Sequence, residues 1–319
     1  GWDITYKYKP PIVAMYDISG WSHTYLWGVT TKIMPKTLNI HTYPINRADP
    51  PTGLVEGGEA QAYAYLPTSN EATKATNELL TQGVSVYRAT KSFTDSGREF
   101  LTGTFIIPAS QGDAKAVANS LSSQYGLDVY ALQAPLPSDV TVEMKSQKIA
   151  VLADEGVRFF LKEYGFDFTA ITATDLNAGR LSATEYDVFI HSGWSYLWSA
   201  LNGRGKATLS AFFAAGGDYV GIGRSGADIS IRFKLLTVSY KTGSPYDNGI
   251  VNITYEPDDT VTSQYPEDSY AFVYGPVWFT KYPADAMVSA YINGDAQTFF
   301  IAGFWTDWKK SGANGSPVV

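Results

Sequence analysis

The chain of 319 residues contains no cysteine. That excludes disulfides, thiolate-bound metals and a cysteine nucleophile together, and it leaves the redox compartment open. Histidine is nearly as scarce, with only His23, His41 and His191. None has a second histidine at helical spacing or stands in an H-x-x-E pattern, the arrangements that hold zinc on a helix, so no metal site is expected. Acidic clusters at Glu256, Asp258 and Asp259 and at Glu267 and Asp268 have the ligand type for calcium in a loop, but solvated loop charge is the plainer meaning. No stretch approaches the ~20 consecutive apolar residues of a membrane-spanning helix, and the first residues lack the basic-then-apolar order of a secretory leader. There is no Lys/Arg-rich run either, and 31 acidic against 24 basic residues give a net charge of −7. Neutralising phosphates needs a concentrated basic surface, so nucleic acid is not an expected partner.

What the chain does contain is aromatic: 22 Tyr, 16 Phe and 8 Trp, with loops rich in Gly, Ser, Thr and Asn. This composition leans toward an extracellular, secreted protein. An internal repeat occupies residues 59–90 and 101–132. "AYAYLPTSNEATKATNELLTQGVSVYRA" and "TGTFIIPASQGDAKAVANSLSSQYGLDVYAL" each read as an apolar run ending in proline, a helical stretch, a glycine and a run ending Val-Tyr. Pro67 matches Pro108, and Tyr87 matches Tyr130. Thr68-x-x-Glu71 has the form of a capping box, and Gly83 and Gly126 stand where left-handed helix ends are wanted. Ala114, Val117, Ala118, Leu121 and Tyr125 recur at helical spacing. Two strand–helix–strand units predict a parallel α/β sheet with right-handed crossovers over residues 1–140.

Proline and polar residues over 133–147 mark a boundary. A second α/β pattern then runs from 148 to 319. "KIAVLAD" reads as a buried strand, with Asp154 capping a helix that carries Val157, Phe160, Leu161 and Tyr164 before Gly165. "YDVFIH" is another strand, Leu209, Phe212 and Phe213 mark a helix closed by Gly216-Gly217, and "DYVGIG" is the strand after it. From about 235 the runs alternate, as in "GIVNITYEP" and "SYAFVYGPVWF", and predict antiparallel strands. The closing "GSPVV" looks like the start of a further strand, as in a fragment of a longer polypeptide.

The stretch "GGDYVGIGRSGADIS" carries Gly221, Gly223 and Gly226 in the spacing G-x-G-x-x-G. A dinucleotide fingerprint belongs in the first strand–helix turn of its domain, and this one follows at least two earlier strands, so no cofactor is expected. The position suits a nucleophile elbow, a sharp strand-to-helix turn beside helix N-terminal amides. Ser225 is the hydroxyl there. A serine nucleophile needs a base, and His191, after the strand "YDVFI", lies along the same sheet edge. The alternative is a turn that needs glycine's backbone freedom, with His191 an ordinary loop or partly buried histidine. Gly193, Trp194 and Trp198 in "HSGWSYLWSA", together with Trp305 and Trp308, offer surfaces for sugar rings or extended peptide if exposed. Trp278 and the tyrosines of 270–274 read as core.

"YDISGWSHTYLWGVTT" (16–31) resembles the segment that follows the catalytic domain in large secreted zinc carboxypeptidase-like proteins of bacteria and archaea. "KIAVLADEGVRFFLKEYGFDF", "LSATEYDVFIHSG" and "AFFAAGGDYVGIGRSGA" are similar to the class I glutamine amidotransferase-like domain found further along in those proteins. The resemblance implies a flavodoxin-like, amidotransferase-like second domain with added antiparallel strands. In active members the elbow carries a cysteine followed far downstream by His and Glu. Here that position is Gly223, or Ser225 under a shifted alignment, and no histidine follows. The loss of the thiolate removes glutaminase chemistry.

The expectation is therefore a non-catalytic α/β accessory region, structural or substrate-engaging, next to an upstream carboxypeptidase domain. A serine hydrolase built on Ser225 and His191 is the first alternative. The second is a glycan- or surface-binding protein that self-associates through unpaired strand edges. Candidate ligand-binding residues are Gly193, Trp194, Trp198, Gly221, Gly223, Ser225 and Gly226.

Overall fold

A computed structural model describes residues 23–26, 29–32, 34–37, 39–46, 51–136, 138–193, 196–257, 259–263 and 265–319. The first described element is the single turn α1 (His23–Leu26). The chain divides into two compact units, one formed by Asn39–Thr237 with Glu256–Pro266, the other by Val238–Tyr255 and Glu267–Val319 with the described residues before 39.

The first unit holds both α/β sheets. Its N-terminal half contains β1 (Val55–Glu56), β2 (Ala62–Tyr65), α2 (Asn70–Thr81), β3 (Tyr87–Ala89), β4 (Phe93–Asp95), β5 (Arg98–Phe100), β6 (Phe105–Pro108), α3 (Ala114–Tyr125), β7 (Val129–Leu132) and β8 (Thr141–Glu143). The six-stranded sheet runs β1-β7-β2-β6-β3-β8, and every pair is antiparallel except β1 with β7. Here the expected parallel sheet is corrected. Each repeat is a strand–helix–strand unit, but the two interleave: β6 lies between β2 and β3, and β2 lies between β6 and β7. The central four strands thus have the split β-α-β order of ferredoxin-like folds. The boundary region also contributes β8, paired with β3 at the sheet edge.

The physical reason for the misreading is that β2 and β6 are buried on both faces. Tyr63, Tyr65, Phe105 and Ile107 pack with Ala72, Ala75, Ala118 and Leu121 of the helices. Ala62, Ala64 and Ile106 pack on the other face with Phe100, and Phe93 joins them from β4. A continuous apolar run is the usual mark of a parallel strand. Here the β4–β5 hairpin covers the second face of an antiparallel one. Ser96 and Gly97 both take positive φ, as a two-residue type I′ hairpin demands. The buried Asp95 accepts from the Gln133 and Ala134 amides at 3.0 and 2.8 Å, which ties this hairpin to the end of β7.

The helices end much as the sequence predicts. Gly126 is the left-handed C-cap of α3, and Gly83 has positive φ just past α2. The N-cap of α2 is Ser69, not Thr68, and it accepts from the Ala72 amide at 3.3 Å.

The other half comprises β9 (Ile149–Leu152), α4 (Glu155–Glu163), β10 (Phe168–Ala170), α5 (Ala173–Asn177), β11 (Val188–His191), α6 (Leu197–Ala200), α7 (Gly203–Ala214), β12 (Asp218–Gly221) and α8 (Gly223–Arg232). Its sheet, β10-β9-β11-β12, is parallel throughout. This is the flavodoxin-like order 2-1-3-4, so the α/β class with a doubly wound sheet stands as expected. Asp154 caps α4 through the Val157 amide at 3.1 Å, and Leu209 and Phe212 are buried from α7. Phe160 departs from its expected core stripe and is exposed, its ring tilted against Tyr164 at 4.5 Å between centroids. Asn70 and Asn77 of α2 donate to Tyr164 at 2.8 and 2.7 Å, linking the two halves.

The second unit is built of antiparallel strands: β13 (Ser239–Thr242), β14 (Asn248–Tyr255), β15 (Asp268–Tyr274), β16 (Val277–Lys281), β17 (Ala290–Ile292) and β18 (Phe300–Phe304). Strand β14 is central, with β15 on one side and β17 and β18 sharing the other. Val251, Ile253, Trp278, Ile292, Phe299 and Trp305 form its core. No helix among the described residues is long and apolar enough to cross a membrane.

Tyr65 is fully buried, and its hydroxyl meets Thr76 Oγ1 at 2.8 Å while Thr76 donates to the Ala72 carbonyl at 2.7 Å. Tyr65→Phe leaves Thr76 bonded and costs about 1 kcal/mol, whereas Tyr65→Ala costs about 3–5 kcal/mol through the cavity it opens. Urea unfolding of the two variants checks the ranking.

Candidate functional site

The C-terminal edge of the parallel sheet gathers the residues that the sequence singles out. In register, His191 of β11 lies beside Leu152 of β9 on one side and Gly221 of β12 on the other. After Gly221 the chain turns sharply into α8. The turn is possible because Gly221 and Gly226 touch backbone to backbone: a Cβ on Gly226 would fall 2.3 Å from the Gly221 carbonyl carbon. Between them Gly223 opens the helix at φ +66°, exposed, with open space where a side chain would project. The turn has the strained strand-to-helix form of a nucleophile elbow, and glycine occupies its tip.

Ser225, two residues on, points the other way. It is 2% exposed, its Oγ lies 3.3 Å from His191 Nε2, and it accepts from the Leu197 amide at 3.3 Å. The structure therefore brings Ser225 and His191 together. His191 is itself 1% exposed, and its Nδ1 faces the Tyr219 hydroxyl at 2.9 Å. Whichever tautomer the ring adopts, one nitrogen donates and the other accepts, and both hydroxyls can turn to match. Burial lowers the His191 pKa to about 4 and raises that of Tyr219 well above the ordinary phenol value, with Asp228 adding to the latter.

This geometry bears on chemistry directly. A serine nucleophile needs an approachable hydroxyl and a base that can hold the proton as imidazolium, usually steadied by a carboxylate. Here the hydroxyl is enclosed, the imidazolium is disfavoured by burial, and the group at Nδ1 is a neutral phenol.

Beside it, between β9 and β11 where the strand order reverses, Ser192 donates to Asp154 Oδ2 at 2.8 Å, and the Asp154 amide donates to Ser192 Oγ at 3.3 Å. Burial pushes the Asp154 carboxyl up. Hydrogen bonds from Val157, Ser192, Gly156 and its own amide outweigh this and hold it below the usual range. This is the position at which open α/β sheets bind ligands, and here the exposed Asp154 is paired with the buried Ser192.

Sequence reasoning missed Tyr219 and Asp154–Ser192 as parts of this edge. The signal for Tyr219 was present: "VFIH" and "DYVG" aligned in parallel register place Phe189 beside Tyr219 and His191 beside Gly221. With no side chain on Gly221, the Tyr219 phenol reaches the imidazole diagonally.

Gly193 is half-buried just past β11, and Trp194 lies outside the described residues. Trp198 is half-buried against the core. Its ring already carries the Lys206 ammonium at 4.1 Å and the Arg232 guanidinium at 4.8 Å, so the platform expected for a ligand is occupied by the protein's own cations. Trp305 is buried, and Trp308 packs on Phe299 and Phe300. His41 is exposed. No group of three or more His, Asp or Glu side chains converges among the described residues.

No family model and no curated protein matches the chain. Among solved structures, a candidate GMP synthase component from Thermoplasma acidophilum shares 13% identity over 51% of this chain and 80% of its own, with a TM-score of 0.36. A glutamine amidotransferase from Thermotoga maritima shares 13% identity over 45% of this chain and 65% of its own, with a TM-score of 0.33.

Two measurements test the site. The folded-state pKa of His191 lies below its ordinary 6.5, so on acidification the unfolded chain takes up this proton first. The stabilisation from keeping the ring neutral is complete above about pH 6.5 and is lost as pH falls toward 4, on the order of 3 kcal/mol in all. The difference in unfolding free energy between wild type and His191→Gln should shrink by that amount over this window, and a constant difference contradicts the burial argument. Second, Gly226→Ala forces two backbones apart and should cost more than 2 kcal/mol, whereas Gly223→Ala meets only the left-handed penalty of about 1–2 kcal/mol. Thermal unfolding of the pair reads the order.

Proposed function

We propose that the chain is a non-catalytic α/β region, a structural or substrate-engaging accessory part of a secreted metallocarboxypeptidase-like protein, whose parallel sheet is an amidotransferase-like domain without its nucleophile. The observation that carries this reading is the elbow: glycine stands at its exposed tip, and the nearest hydroxyl is turned into the core. Nucleophilic catalysis needs the reverse, a reactive atom at the tip and a base beside it. The parallel order 2-1-3-4 supports the domain assignment. The likeness of residues 16–31 and the aromatic composition support the secreted context.

A peptidase active site, in this reading, belongs to an upstream domain, and this region engages a peptide or glycan, or a second copy of itself. The contact of Ser225 with His191 at 3.3 Å favours one rival, a serine hydrolase. A fluorophosphonate probe separates the two. The proposal predicts no labelling of the folded full-length chain and no ammonia release from glutamine. Stoichiometric labelling at Ser225, abolished in Ser225→Ala, overturns it.

A further inference from the structure

The β14–β15 pair has two different faces. Val251, Ile253, Ala271 and Val273 turn into the core of the second unit. On the other face of β15, Tyr270, Phe272 and Tyr274 are 47%, 39% and 41% exposed. The expectation that the tyrosines of 270–274 are core is thus corrected: the alternation that marks β15 as a strand puts these three rings on its outer side. Alternate residues of a strand stand about 6.8 Å apart, and the Phe272 and Tyr274 ring centroids are 6.5 Å apart. Single exposed apolar side chains need no explanation, but an ordered row of three aromatics marks an interaction surface.

The row ends in polar groups. At the Tyr270 end, a depression of about 230 Å³ is lined by Asn252, Ile253, Asp268, Ser269, Tyr270 and Asn293. Register places Asn252 directly opposite Tyr270. Asn252 donates to the Thr298 carbonyl at 2.9 Å, Asp268 Oδ1 accepts from Thr254 at 3.2 Å, and Asn293 Oδ1 accepts from the Asp295 amide at 3.1 Å. This leaves Asn252 Oδ1, Asp268 Oδ2 and Asn293 Nδ2 without partners among the described residues. Among the described residues, the lining offers amide, hydroxyl and carboxylate groups and no Lys or Arg. Tyr25 of α1 packs edge-on to Tyr270 at 4.8 Å and buttresses that end of the row.

We infer that this face binds a neutral polysaccharide. Pyranose rings present flat C–H faces that stack on aromatic rings, and their hydroxyls pair with amides and carboxylates. The lack of a cation among the described lining residues disfavours an anionic ligand, and the row is long enough for consecutive sugar units. The supporting strand is rigid, because β14 is hydrogen-bonded to β15 along its whole length and to β17 and β18 on its far side. The site uses none of the elbow residues, so it stands or falls apart from the reading of Ser225 and His191.

Native affinity electrophoresis of the full chain tests it. The gels contain hydroxyethylcellulose, mixed-linkage β-glucan, neutral arabinoxylan or soluble starch, with polygalacturonate as the anionic control. Retardation by at least one neutral polymer is expected. It should weaken at least tenfold in Tyr270→Ala/Phe272→Ala/Tyr274→Ala, whose side chains are exposed enough to lose without unfolding. Asn252→Ala/Asp268→Ala, which leaves the rings in place, should also weaken it, and far-UV circular dichroism confirms that both variants fold. Four outcomes overturn the inference: no retardation by any neutral polymer, retardation by polygalacturonate alone, undiminished retardation of the triple variant, or a wild-type dimer in sedimentation that the triple variant dissociates. The last assigns the face to a second copy of the chain.

Discussion

The contact between the backbones of Gly221 and Gly226 sets the geometry of the parallel sheet's edge. Any side chain at 226 would fall inside the Gly221 backbone, so α8 can start directly against the end of β12 only because both positions lack one. Starting there fixes which residues of the turn face outward. Gly223 lies at the exposed tip, and Ser225, on the opposite side of the first helical turn, is carried into the sheet. The same absence of a side chain at 221 lets the Tyr219 phenol reach His191 across the strand pair.

The Tyr219–His191–Ser225 chain is consequently a buried polar network enclosed by apolar packing. Phe189 stacks on His191 at 6.0 Å and lies 5.7 Å from Tyr219. In such surroundings a neutral imidazole flanked by two adaptable hydroxyls satisfies its hydrogen bonds at no charge cost, whereas an imidazolium has no anion to pair with among the described residues. The distances resemble those of a catalytic dyad, but the electrostatics favour a neutral, structural role. The Asp154–Ser192 pair lies at the neighbouring switch between β9 and β11, and there the charge is held by the Val157 amide and the Ser192 hydroxyl. Both pairs stabilise a sheet edge that in this topology is ordinarily the binding side.

Much of this was legible in the sequence, and the failures have identifiable causes. The repeat, the glycine-terminated helices, the elbow and the nearness of Ser225 to His191 all follow from local pattern and strand order. Strand pairing in the first sheet does not, because burial on both faces gives β2 and β6 the appearance of parallel strands, and the β4–β5 hairpin that covers them is visible only in three dimensions. The two-residue β1 and three-residue β8 are too short to carry a period. Alternation placed Tyr270, Phe272 and Tyr274 on one face of a strand but could not say which face the core would take. Trp198 shows the converse limit: its place after β11 at the sheet edge was readable, but it falls in the short helix α6, and the cations that cover it come from helices α7 and α8.

The central claim is that the elbow tip is open and empty while Ser225 is enclosed. Because the chain has no cysteine, single thiols introduced by Gly223→Cys and by Ser225→Cys report on the two positions without background. The measurement is the iodoacetamide alkylation rate of each folded variant. The account predicts that the thiol of Gly223→Cys reacts at the rate of an exposed thiol and that of Ser225→Cys stays protected until urea unfolds the chain. Faster alkylation of Ser225→Cys than of Gly223→Cys, at a rate that follows a thiol ionising near neutral pH, would contradict it and make His191 an activating base.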